Sequence, residues 1–64
     1  MLNNYSVIAG NLGLIYSGNN GFTARVEYNR AVGQSKRNEG RIAGEPVWLL
    51  KNDDIVKEYA PASN

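Results

Sequence analysis

One stretch, Asn20 to Lys36, carries the only helical signal in the chain, and the segments on either side of it read as short and extended. Asn19 and Asn20 can accept from the orphan backbone N–H groups at a helix start, and Gly18 lets the chain turn into it. No proline interrupts Phe22 to Arg41. At about 100° per residue, Ala24, Tyr28, Ala31, Val32 and Ser35 share one sector, which is expected to face a core. Thr23, Glu27, Arg30, Gln34 and Arg37 share another, while Phe22 and Val26 lie on a separate flank with Gly33, at the edge of the core or in solvent. Lys36 and Arg37 suit the last turn because cations there oppose the negative end of the helix dipole, and Asn38 or Gly40 can adopt a left-handed stop.

The remaining segments predict two hairpins around that helix. Tyr5 to Ala9 is rich in β-branched and aromatic residues, Gly10-Asn11-Leu12-Gly13 is a turn signal, and Leu14 to Tyr16 is the return strand. Gly10 and Gly13 also match the GxxG spacing that clamps nucleotide backbone between two helices, but the extended flanks favour a turn. Gln34 to Gly44 is a polar, glycine-bearing loop over the helix end. Glu45 to Lys51 holds the apolar run Val47-Trp48-Leu49-Leu50, Asn52-Asp53-Asp54 is turn chemistry, and Ile55 to Tyr59 is the last strand. The fold class is therefore α+β: a four-stranded, mainly antiparallel sheet in the order β-β-α-β-β, with one helix packed on a face.

With 64 residues there is room for one domain, assigned to residues 1–60, with 61–64 as a polar tail expected to fray. A chain this short buries only about 60% of the surface its unfolded form exposes, so self-association would help its stability.

Composition closes off several chemistries. No cysteine and no histidine exclude Cys/His zinc sites, cysteine nucleophiles and Ser-His-Asp triads, and no P-loop pattern is present. Seven basic against six acidic residues give a net charge of +1, too little for a general polyanion binder. The start of the chain lacks the apolar run of a signal peptide and nothing approaches the roughly 20 apolar residues of a membrane span, so a cytoplasmic location is expected and the Asn4-Tyr5-Ser6 sequon reads as chance.

Two polar groupings remain. Asp53 and Asp54, with Glu45 or Glu58, could in principle hold Mg²⁺, but paired aspartates are what a hairpin turn uses anyway. Lys36, Arg37 and Arg41 cluster near a glycine-bearing bend, which suits phosphate or carboxylate contact; the plainer reading is dipole-matched helix termination. Arg41, between Gly40 and Ile42, fits the plainer reading least and could instead clamp Glu45. Trp48, Tyr5 or Tyr16 would supply aromatic support for a nucleic acid held by the basic loop 36–41.

Asn11-Leu12-Gly13, Ile15-Tyr16, Gly18-Asn19, Gln34-Ser35-Lys36, Gly40-Arg41, Gly44-Glu45, Ile55 and Glu58-Tyr59 together resemble a group of short bacterial, plasmid and phage-borne proteins of unassigned function. The resemblance implies no activity. The expectation is a small non-catalytic module, without cofactor, that binds another protein, as a mobile-element product engaging a host component. The alternative is nucleic-acid binding through the basic loop. Candidate binding residues are Lys36, Arg37, Arg41 and Trp48.

A homodimer is also expected. Strand alternation groups Val47, Leu49, Ile55 and Tyr59 against Trp48, Leu50 and Val56, and Tyr5, Val7, Leu14 and Tyr16 against Ile8 and Ile15. Both faces of the sheet are then apolar, and one helix covers only one of them.

Overall fold

The computed structural model describes residues 3–61, apart from the Arg41 side chain. Strands β1 (Tyr5–Ala9) and β2 (Gly13–Gly18) are joined by a 3-10 turn, Gly10–Leu12. Helix α1 (Gly21–Lys36) follows, then a second 3-10 turn, Gly40–Ile42, and strands β3 (Val47–Lys51) and β4 (Asp54–Tyr59). The sheet order is β2-β1-β3-β4 and all three pairings are antiparallel. The α+β architecture stands as expected, and β1 and β3 join the two hairpins at the centre. Residues 62–64, most of the tail expected to fray, lie outside the described residues.

Both helix ends follow from local chemistry. Asn20 is the N-cap, its side-chain oxygen accepting from the Thr23 N–H at 3.1 Å. At the other end Asn38 turns left-handed (φ 55°), and the Glu39 N–H donates to Gln34 O at 2.9 Å while the Asn38 N–H donates to Ser35 O at 3.2 Å. That paired closure is a Schellman motif, which satisfies carbonyls that the helix itself leaves free.

Helix α1 lies over β1 and β3, and more lightly over β2. Val7, Ala9, Ala24, Tyr28, Ala31, Ile42, Val47 and Leu49 form the core beneath it. Three of these are alanines, which let the helix come close to the sheet. Val32 is only partly buried, at the margin of this cluster, and Phe22 and Val26 are exposed. Buried Ser35 fastens the helix end, its hydroxyl donating to Glu45 O at 2.7 Å.

Two β-bulges revise the facing of the strands. Val7 pairs with Tyr16 and Ile8 with Leu14, so Ile15 is the extra residue; Leu49 pairs with Lys57 and Leu50 with Ile55, so Val56 is extra. Simple alternation groups Leu14 with Val7 and Ile55 with Leu49. The bulges instead put Leu14 beside Ile8 and Ile55 beside Leu50, on the face away from the helix, while Ile15 packs against the core.

Candidate functional site

The basic segment at the end of α1 is dominated by local contacts. Arg37 grips Glu39, Nε to Oε2 at 2.9 Å and the terminal nitrogen to Oε1 at 3.2 Å. The shared hydrogen bond, then the charge pair, raises the Arg37 guanidinium above its ordinary value. The same hydrogen bond holds the Glu39 carboxyl below its own. Lys36 places its ammonium 5.6 Å from the centre of the Tyr59 ring. The backbone of Arg41 lies in the second 3-10 turn, and its side chain is outside the described residues. Glu45, considered as its partner, accepts from the Asn11 backbone N–H at 3.0 Å and the Asn11 side chain at 3.4 Å.

Trp48 is on the other side of the sheet. Its neighbours Val47 and Leu49 are buried under α1, so alternation turns Trp48 away, and its indole N–H donates to Glu58 at 3.4 Å. The structure therefore separates Trp48 from Lys36 and Arg37. It belongs to an open sheet face built from two cross-strand rows. Leu14, Ile8, Trp48 and Glu58 form one row; Ser17, Ser6, Leu50 and Ile55 form the other. Leu14 is 60% exposed and Ile55 58% exposed, while Ile8, Trp48 and Leu50 are half-buried. Glu58 is the one charged residue in these rows.

A second feature lies on the helix side. Because α1 stops short of β4, a groove of about 460 Å³ opens between them, with Leu49 and Tyr5 towards the sheet, Phe22 on the helix and Val56 on β4. Arg25, Lys51 and Lys57 also line it, with no acidic residue among its described lining. These residues are far apart in sequence, which is why no local motif signals them; only the exposed apolar flank at Phe22 hints at the groove.

The chain matches no family model, no curated protein and no solved structure. Its site must therefore be read from its own chemistry. Among the described residues no cluster of three or more acidic side chains could hold a metal, and no helix is long and apolar enough to cross a membrane. What the surface offers is contact: an apolar sheet face, and a cation-lined groove on the opposite side.

Proposed function

We propose that the protein is a small, non-catalytic protein-binding module acting in the cytoplasm as a homodimer, with a second copy covering the open sheet face. The observation that carries this reading is the pair of rows which together put Leu14, Ile8, Trp48, Leu50 and Ile55, at least one apolar side chain from each of the four strands, beside Ser6, Ser17 and Glu58, with no element of the described chain above them. An uncovered apolar surface of this kind marks an interface. A second copy suits it because the face carries one charge, Glu58, and no cation, so it selects no charged partner and meets its own image without buried like-charge rows.

Four strands spaced about 4.8 Å apart with about 3.3 Å per residue give a face of roughly 300 Å² in projection, so a face-to-face pair buries on the order of 1,000 Å² of accessible surface. That is the low end for a specific dimer. The further partner in this reading is a host component. The nucleic-acid reading of residues 36–41 has less support, since Arg37 is engaged by Glu39 and Trp48 faces away.

Sedimentation equilibrium tests the dimer. A two-fold mass in the micromolar range is expected, reverting to monomer in Leu14→Arg and Ile55→Arg, which alter exposed residues and leave the core intact. A monomer mass persisting to several hundred micromolar overturns it.

A further inference from the structure

We infer that the groove between α1 and β4 binds an acidic peptide segment that inserts a bulky apolar side chain between Phe22 and Val56. The groove supplies both halves of such recognition. Its apolar part is Leu49, Tyr5 and Val56, with Phe22 standing 77% exposed at the wall, where a ligand side chain can pack on it. Its charged part is Arg25, Lys51 and Lys57, all exposed.

The field at this end of the molecule is positive from several sources. The first turn of α1 has no acidic residue, so the positive end of the helix dipole is unopposed there, and Arg25 adds to it. Asp54 stands across from Lys51 in the ladder and offsets part of its charge, while Arg25 and Lys57 form no ion pair among the described residues and leave the groove lining net positive. Complementarity therefore requires an anionic partner.

A peptide fits better than a single-stranded nucleic acid. The three cations come from three different elements, Arg25 from α1, Lys51 from β3 and Lys57 from β4, about an apolar lining, and of the two rings there only Phe22 is exposed, Tyr5 being half-buried, so successive bases have no row of open rings to stack on. The β4 bulge at Val56 is part of the design, because it turns that side chain into the groove beside Lys57. The inference rests on the protein-binding reading but not on the dimer, since groove and open face lie on opposite sides of the sheet.

The test is selection of a short random peptide library, displayed on phage, against the intact protein at low salt. The expected consensus places Asp or Glu around one Leu, Ile, Phe or Trp. Synthetic peptides of that consensus should bind with affinity that falls as salt rises, and roughly tenfold or more weaker to Phe22→Ala and to the double variant Lys51→Glu/Lys57→Glu. All three positions are exposed, urea melts of the variants report whether the fold is kept, and the neutral Lys51→Gln/Lys57→Gln variant, which sets no like charge against Asp54, should weaken binding in the same direction. Leu12→Ser, an uncharged change at an exposed residue of the Gly10–Leu12 turn and outside both the groove and the open-face rows, should bind as the parent does. No enrichment, a consensus without acidic residues, binding indifferent to the groove variants, or oligothymidylate bound in the groove more tightly than any selected peptide would each overturn it. Sedimentation of the same samples reports on the dimer separately, so the two failures are distinguishable.

Discussion

The two faces of the sheet are similar in composition and opposite in fate. The closed face brings Val7, Ala9, Val47 and Leu49 under Ala24, Tyr28 and Ala31, and these residues are almost wholly buried. The open face presents Ile8, Leu14, Trp48, Leu50 and Ile55, none of them fully buried. One helix of 16 residues closes one face only. Apolar content therefore did not decide which residues form the core; the placement of α1 did, and β4 fell outside its reach.

Truncating equivalent side chains on each face separates the two faces most strongly. Leu49→Ala and Tyr28→Ala should each cost about 3 kcal/mol in urea melts, as large-to-small core changes. Leu14→Ala and Ile55→Ala, measured at a concentration where the protein is monomeric, should cost less than about 1 kcal/mol. Equal losses on both faces would mean that the open face is covered within one chain.

A smaller effect probes how the closed face is latched. Ser35→Ala removes the hydroxyl that donates to Glu45 O beneath the helix end, and should cost about 1–2 kcal/mol in the same melts. An unchanged midpoint would mean that the latch is dispensable.

Much of the fold was legible because it rests on local chemistry. Asn20 and Asn38 mark the ends of α1 as cap and left-handed stop, and Asn52-Asp53 marks the last hairpin. The faces were less legible. Alternation is reliable only while the register holds, and single-residue bulges at Ile15 and Val56 move Leu14 and Ile55 to the open face. Nothing in the sequence around them announces a bulge. Of the candidate site residues, Lys36 and Arg37 end α1 but reach to different partners, the Tyr59 ring and Glu39, and Trp48 does not join them, because its strand parity opposes Leu49. The groove cations Arg25, Lys51 and Lys57 come together only through the tertiary fold.

The hairpin tip lies beyond both faces and offers a finer contrast. Asn52 and Asp53 form a two-residue loop with φ 51° and 72°, the mirror-image geometry in which glycine is favoured at the second position. Asp53→Gly should stabilise the protein by about 0.5 kcal/mol, read as a raised urea midpoint with an unchanged slope. A lowered midpoint would show that Asp53 makes a contribution beyond its backbone.

The smallest effect appears only in alkali. Burial raises the Tyr28 phenol above its ordinary value of 10.0, and the charge of Glu58 adds in the same direction. A raised folded-state value favours the neutral phenol, so this contribution is complete below about pH 10 and is lost as pH climbs through the folded value. Tyr28→Phe should flatten the alkaline fall in stability; an identical slope would place the titration elsewhere.

In the proposed dimer a second copy covers the open face. Isotope-filtered NOE spectra of a mixed sample, one population labelled with ¹³C and ¹⁵N and the other not, test it most directly. Intermolecular contacts from the Trp48 ring to the methyls of Leu14, Ile8 or Ile55 are expected, and a spectrum without them, or with contacts only from α1 or the free edge of β4, would contradict the account.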